Sequence, residues 1–242
     1  GYATLGGGNH FIEAYLRDSK SIFLAVHTGS RNLGGIVYKY YNSLSKNRTQ
    51  EIYLKQRESI ITRLKFEKRY NEIQDALDKH HLEYQGRFSL DTSVKYIEGK
   101  DLKDYVHDME ILNRFARDNR LGIAEEIAHR TGAVSIKELI DKPHNYLEEK
   151  EGTVYLRKGA QSAYDNEAVI VPINMRDGVI IGKAKGNKDW NFSFPHGAGR
   201  VLSRTQAREK ISIQDFVAVM RDVYSTSINL DTIDEAPMAY KS

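Results

Sequence analysis

The stretch Ser-Ile-Phe-Leu-Ala-Val-His-Thr-Gly-Ser, residues 21–30, contains the clearest strand signal near the start of the chain. Its first six residues form a short apolar run of the kind found in buried strands, and the glycine and serine after it are typical of a turn. The run therefore predicts a strand that carries His27 at its C-terminal end. Ligand-binding residues often lie where a strand gives way to a loop.

Two further histidines lie in similar glycine-rich settings. Gly-Gly-Gly-Asn-His-Phe-Ile-Glu, residues 6–13, contains His10, and His-Gly-Ala-Gly-Arg, residues 196–200, begins with His196. Histidine can bind a metal, transfer a proton or act as a nucleophile. Glycine lets the backbone approach a ligand closely because it has no Cβ. Three such settings predict a single active centre assembled from distant segments.

The composition of the chain excludes several classes of protein. Among 242 residues, 40% are apolar and 29% are charged, which is ordinary for a globular protein. No apolar run approaches the roughly 20 residues that cross a bilayer. The absence of cysteine excludes disulfides and thiolate metal ligands within the chain and favours a cytoplasmic location.

The charge and the first residues of the chain complete this description. A net charge of +3 indicates a solvated surface, although a local basic patch for polyanions stays open. The sequence has no secretory signal and opens directly into a motif without methionine. We therefore expect it to be a piece of a longer protein.

The predicted elements favour an α/β (mixed α+β) fold with one body over residues 1–242. Helices are predicted at residues 33–44, 50–84, 102–129 and 211–224, and strands of one mixed sheet at residues 153–156, 168–171 and 179–181. Gly122 predicts a break, Gly132 a helix end and Ser212 an N-cap. Sparse apolar residues among many charges indicate that residues 50–84 are an exposed helical insertion.

The candidate metal ligands are His10, His27 and His144, the last of which follows a proline that stiffens its approach. Three imidazoles suit Zn, Mn, Fe, Co or Ni, and this ligand set alone does not identify which of these metals binds. The alternative is that each is a structural histidine whose hydrogen bonds are made within the fold.

His196 differs from the other histidines because small residues surround it and Arg200 and Arg204 follow. An exposed imidazole beside two guanidinium groups is suited to accept a phosphoryl or nucleotidyl group, since arginine binds phosphate through paired hydrogen bonds. The alternative is a turn with two surface arginines.

These motifs, in this order, resemble the signature segments of the RtcB RNA-splicing ligase family. The resemblance rests on residues 6–13, 27–34 and 196–204, and it extends to Lys158-Gly159-Ala160 and to residues 234–241. It covers the whole chain in colinear order apart from the charged insertion.

The resemblance implies an enzyme that uses GTP and Mn²⁺, with two ions in the complete protein, to join RNA 3′-phosphate or 2′,3′-cyclic phosphate ends to 5′-hydroxyl ends. It implies that His196 is the nucleophile that takes GMP and that His10, His27 and His144 bind manganese. The residues implied to surround the guanylate are Asn9, His10, Phe11, Ile12, Glu13, His144, Asn145, Pro172, Asn174, Met175, His196, Gly197, Ala198 and Gly199. Those implied to bind RNA phosphate are Arg31, Arg200 and Arg204.

The implied partners are RNA with broken ends, such as cleaved tRNA, and GTP. A monomer without a membrane partner is expected, with an accessory activator protein as a candidate partner. Two other functions remain open: a catalytically incomplete relative that binds RNA ends or nucleotide, and a metal-dependent phosphoesterase.

The sequence departs from the family pattern in several places. Ile173 stands where family members commonly have glycine. The family's Asp-x-Gly-Cys metal-ligand segment is not in this sequence, and neither is its C-terminal lysine near the guanine pocket.

Overall fold

The computed structural model describes residues 2–18, 21–88, 96–133 and 139–241 and confirms the mixed α/β class. The strands are β1 (Phe11–Asp18), β2 (Ser21–His27), β3 (Asn145–Lys150), β4 (Thr153–Lys158), β5 (Ala160–Ser162), β6 (Ala168–Asn174), β7 (Gly178–Lys183) and β8 (Ser193–Pro195). The α-helices are α1 (Arg31–Phe66), α2 (Ile73–Phe88), α3 (Gly99–Thr131), α4 (Arg204–Lys210) and α5 (Ile213–Val219).

The chain divides into two compact units. One comprises Gly1–Arg31 and Asn113–Ser242, and the other comprises Asn32–Leu112. The second unit is helical, and Tyr41 joins α1 to α3 within it. The Tyr41 side chain is buried, and its hydroxyl donates to the Asp108 carboxylate at 2.8 Å.

The charged segment at residues 50–84 is largely helical, as predicted. The helices predicted at residues 33–44 and from residue 50 are, however, one helix, because α1 runs unbroken from Arg31 to Phe66. The apolar pattern thins out beyond Leu44, but no glycine or proline interrupts it, so nothing ends the helix there. That this segment is an insertion stays a prediction. No helix within the described ranges is both long and apolar enough to cross a membrane.

The prediction of a break in α3 was wrong, because the helix continues through Gly122 to Thr131. A Cβ at position 122 would lie 2.7 Å from the Tyr2 hydroxyl oxygen, so this glycine makes room for the tyrosine. The predicted helix end at Gly132 is confirmed. Its φ of 70° is a left-handed conformation that glycine adopts without strain.

The predicted strands are confirmed within β4, β6 and β7, but the single mixed sheet was wrong. Among the described residues the strands form two-stranded antiparallel sheets, with the pairs β1–β2, β3–β4, β5–β8 and β6–β7. The turn between β3 and β4 shows the reason, because Glu151 and Gly152 both have positive φ, at 52° and 73°. Successive positive φ values are typical of tight hairpin turns, which pair a strand with its neighbour in sequence.

The C-terminal core is built around α4 and α5. Ser212 caps α5 as predicted, since its side chain accepts a hydrogen bond from the Asp215 amide. The helix predicted at residues 211–224 is shorter, because α5 ends at Val219 and the chain turns at Met220. Met220 is 1% exposed and packs in the same core cluster as Phe216.

Candidate functional site

The β1–β2 hairpin places two of the predicted histidines side by side. His10 immediately precedes β1, and His27 is the last residue of β2, where it pairs with Phe11. The His10 and His27 ring centroids are 6.1 Å apart. The His10 Nδ1 atom donates to the Leu5 carbonyl at 2.9 Å, so its Nε2 atom keeps a free lone pair.

His144, the residue directly before β3, lies beside this pair. Its Nε2 atom lies 3.3 Å from the Nε2 atom of His27. The Asn145 amide nitrogen donates to the His144 Nδ1 atom at 3.1 Å, which leaves the proton of the neutral ring on Nε2. His144 can therefore donate that proton to His27.

His196 completes a row of four imidazole rings. It directly follows β8, and its ring stacks on His144 with centroids 4.6 Å apart and planes inclined by 29°. Its Nδ1 atom donates to the Gly159 carbonyl at 2.5 Å. The structure thus brings His10, His27, His144 and His196 together from four separate segments, as the sequence predicted.

The rings in the middle of this row are neutral near pH 7. Burial and then the neighbouring imidazoles lower the pKa of His27 to about 4. Burial and then the nearby His196 lower the pKa of His144 to about 4 as well. Burial also lowers the pKa of His10. Neutral imidazole is the form that binds metals.

Part of this row fits a metal ion. Two imidazole nitrogens on one zinc ion each lie roughly 2.0–2.1 Å from it, so they are separated by at most about 4.2 Å. The 3.3 Å between the Nε2 atoms of His27 and His144 falls within that limit. In the described parts of the chain, however, no group of three or more histidine, cysteine, aspartate or glutamate side chains is arranged to hold a metal. That His10, His27 and His144 bind one metal ion stays a prediction.

Residues 9–13, which were predicted to contact nucleotide, lead into β1. Phe11 and Glu13 share a face of the strand, whereas Ile12 points to the other face and is 39% exposed. Asn9 is exposed. The Glu13 carboxylate accepts a hydrogen bond from the Tyr15 hydroxyl, and burial raises the pKa of Glu13.

The turn after β6 uses its polar side chain internally. The Asn174 amide oxygen accepts hydrogen bonds from the Arg176 and Asp177 amides at 3.0 and 2.9 Å, and its nitrogen donates to the Asp177 carboxylate. Met175 packs against the C-terminal core. Asn174 thus closes the β6–β7 hairpin, a role that the sequence analysis did not predict.

Pro172 instead contacts the loop that carries His196. Its carbonyl accepts a hydrogen bond from the Ala198 amide at 3.1 Å, and a Cβ at Gly197 would lie 3.5 Å from the same oxygen. Two segments predicted to surround the nucleotide are therefore adjacent. Gly199 is anchored as well, because its carbonyl accepts from the Lys241 amide at 3.1 Å.

The arginines predicted to bind RNA phosphate differ in their surroundings. The Arg200 guanidinium donates hydrogen bonds to the Leu202 carbonyl, the Asp234 carbonyl and the Tyr240 hydroxyl. The Arg204 guanidinium forms ion pairs with Asp234 at 2.6 Å and with Glu235 at 2.5 Å. Both therefore hold the C-terminal segment in place.

Arg31 lies at the row of histidines. Its Nη1 atom is 3.2 Å from the Nδ1 atom of His10, and its backbone has a positive φ of 58°. A Cβ at Gly6 would overlap the Arg31 guanidinium, so this glycine allows the close approach. Of the three predicted arginines, Arg31 is the one beside the imidazoles.

Two supporting residues on α3 were missed by the sequence analysis. Asn119, which is fully buried, donates to the Thr4 carbonyl and accepts from the Thr4 amide, each at 3.0 Å. Arg120 donates to the Thr28 carbonyl at 2.9 Å, next to His27. The available signal was an asparagine between Ala116 and Ile123 on the buried stripe of a helix, since a buried polar group requires a partner.

Comparisons with known proteins agree with the resemblance. The family described as tRNA-splicing ligase RtcB matches residues 1–242. RNA-splicing ligase RtcB of Escherichia coli (strain K12) is 29% identical over 98% of this chain and 54% of its own length. The tRNA-splicing ligases RtcB of Nanoarchaeum equitans and Aeropyrum pernix are 23% and 24% identical, each over 98% of this chain and 53% of their own length. The chain spans about half the length of these relatives. It belongs to the RtcB family.

Proposed function

We propose that this chain carries the guanylyl-transfer centre of an RNA ligase that joins RNA 3′-phosphate or 2′,3′-cyclic phosphate ends to 5′-hydroxyl ends, with GTP and Mn²⁺. The names of its relatives, which are RNA- or tRNA-splicing ligases, support ligation of broken RNA such as cleaved tRNA. The row of four imidazoles carries the proposal, because it combines a ring suited to nucleophilic attack with rings suited to metal binding.

His196 is the proposed nucleophile. Because its Nδ1 atom donates to the Gly159 carbonyl, the lone pair of the neutral ring is on Nε2. That atom attacks the α-phosphorus of GTP, a nitrogen–phosphorus bond forms, and the bond to the bridging oxygen breaks, so that pyrophosphate leaves with the electron pair. The guanylate then passes to the RNA 3′-phosphate, and the 5′-hydroxyl displaces GMP.

His10, His27 and His144 are the proposed manganese ligands. A metal ion held there would supply positive charge that offsets the charge of the phosphates. The Nε2 atoms of His27 and His144 lie 3.3 Å apart, which supports this role. An ion bound there would displace the Nε2 proton of His144, because a ligating nitrogen needs a free lone pair.

Arg31 is the proposed contact for a substrate phosphate at this centre. Its guanidinium lies 3.2 Å from His10 and carries no ion pair among the described residues. Arginine donates paired hydrogen bonds to phosphate oxygens. Arg200 and Arg204 would have to leave carboxylate partners to do the same.

The test is the intact mass of the protein after incubation with GTP and Mn²⁺. We expect a covalent gain of one guanylate in the unaltered chain, none in His196→Ala, and a gain equal to that of the unaltered chain in His129→Ala, a control at an exposed histidine near the end of α3. A guanylate gain in His196→Ala would refute the proposed nucleophile. A chain that binds GTP without gaining guanylate would instead be a nucleotide-binding relative.

A further inference from the structure

Gly159 lies against the His196 ring at the end of β4. Its carbonyl oxygen accepts the Nδ1 proton of His196 at 2.5 Å. A Cβ at position 159 would lie 3.1 Å from Cε1 and 3.3 Å from Nδ1 of the same ring. This residue therefore both binds one edge of the imidazole and leaves it the space to lie there.

The backbone amide of Gly159 forms two hydrogen bonds to the segment that carries His144. Its amide donates to the His144 carbonyl at 2.7 Å and to the Asn145 side-chain oxygen at 3.0 Å. Its φ of 66° is in the left-handed region, where glycine is favoured. The carbonyl that meets His196 is thus fixed by contacts to the segment that carries His144.

We propose that Gly159 is a positioning residue for His196, and that its carbonyl selects the tautomer in which Nε2 is the nucleophilic atom. A carbonyl oxygen can only accept, so it requires the ring proton on Nδ1 and leaves the lone pair on Nε2. The inference rests on the proposed guanylyl transfer at His196.

The same contact acts during the transfer. When Nε2 forms its bond to phosphorus, Nδ1 still carries its proton, so the ring gains positive charge as pyrophosphate leaves with the electron pair. The negative end of the Gly159 carbonyl dipole already faces that charge, and an oriented dipole costs no reorganisation at the moment of reaction. A histidine that is displaced or carries its proton on Nε2 loses both effects.

The test compares Gly159→Ala with Gly152→Ala in the full chain. Gly152 has a similar φ of 73°, but a Cβ there would meet nothing within 4 Å, so this control carries the backbone strain without a ring contact. The rate of guanylate gain is measured by intact mass over a series of GTP concentrations. This series gives the maximal rate and, separately, the GTP concentration at which the rate is half-maximal.

We expect the maximal rate of Gly159→Ala to fall on the order of 10-fold, because a Cβ 3.1 Å from the His196 ring requires a shift smaller than the ~1 Å that costs about 10²-fold at a reacting group. The GTP concentration that gives half of the maximal rate should stay unchanged, and Gly152→Ala should react like the unaltered chain. Equal rates in Gly159→Ala and the unaltered chain would overturn the inference, and so would equal losses in both variants.

A second measurement needs no variant at position 159. Long-range ¹H–¹⁵N spectra of the histidine-labelled chain, with His196 assigned by its loss in His196→Ala, report which ring nitrogen carries the proton. We expect protonated Nδ1 and unprotonated Nε2, and the opposite tautomer would overturn the inference. This result decides the matter if Gly159→Ala does not fold. If the unaltered chain gains no guanylate, the proposed function fails while the tautomer is still determined.

Discussion

Replacing Asp234 by asparagine tests whether the arginines near His196 are structural. The Asp234 side chain is 2% exposed, and its two oxygens accept from Arg204 and Arg208, each at 2.6 Å. Asparagine keeps the shape of the side chain but removes the charge and one acceptor oxygen. We therefore expect the free energy of unfolding to fall.

The magnitude follows from the two contacts that change. A hydrogen bond to a charged group contributes about 1.5–3 kcal/mol to stability. The Arg204 and Arg208 side chains are 50% and 52% exposed, so water can solvate them again when the carboxylate is lost, and the low end of that range applies. One contact is lost and the other is weakened, which predicts a decrease of about 2–3 kcal/mol in the free energy of unfolding.

The assay is urea unfolding at pH 7, with the dependence on urea concentration expected to stay the same while the midpoint falls. Asp177→Asn is the control, because it breaks an ion pair with Arg176 in which the side chains are 43% and 30% exposed. Exposed pairs contribute about 0–1 kcal/mol. A loss in Asp234→Asn no larger than that in Asp177→Asn would refute a structural role for this cluster.

Two further predictions concern groups in the same unit. Because the pKa values of His27 and His144 are lowered to about 4, the unfolded chain binds more protons between pH 4 and 6.5, so the free energy of unfolding should rise with pH across that window. Urea unfolding at several pH values measures this slope, which His27→Gln should reduce; an unchanged slope would contradict it. Gln161→Leu should lower the free energy of unfolding by about 3–5 kcal/mol. Leucine cannot replace the three hydrogen bonds of Gln161, so the Ile170 carbonyl, the Ile170 amide and the Pro195 carbonyl lose a partner in the interior. A thermal or urea midpoint close to that of the unaltered chain would show that these groups find other partners.

Local patterns in the sequence predicted the ends of helices well where a single capping residue determined them. Glycine after Thr131 marked the end of α3, and Ser212 marked the start of α5. The prediction of a helix break at Gly122 was wrong because this glycine makes room for Tyr2, which is 120 positions away in the sequence. A local pattern carries no information on such a contact.

The candidate site shows the same division. The glycine-rich motifs predicted that the histidines converge, and they do. Two contacts could not be predicted. The hydrogen bonds of Asn174 within its own hairpin depend on the final conformation of a turn, and the ion pair between Arg204 and Asp234 depends on pairing between distant segments. Composition identifies a polar group but not the partner that takes its hydrogen bonds.

The pairing of strands has a consequence for how the site comes into existence. β1–β2, β3–β4 and β6–β7 each join neighbours in the chain, so each ribbon closes only a short loop and can form early in folding. An isolated two-stranded ribbon is at best marginally stable in water. His27 ends one ribbon and His144 directly precedes another, so their 3.3 Å contact exists only after these ribbons have docked. The row of imidazoles is therefore a late product of folding, and we expect it to be among the first features lost when the unit loosens.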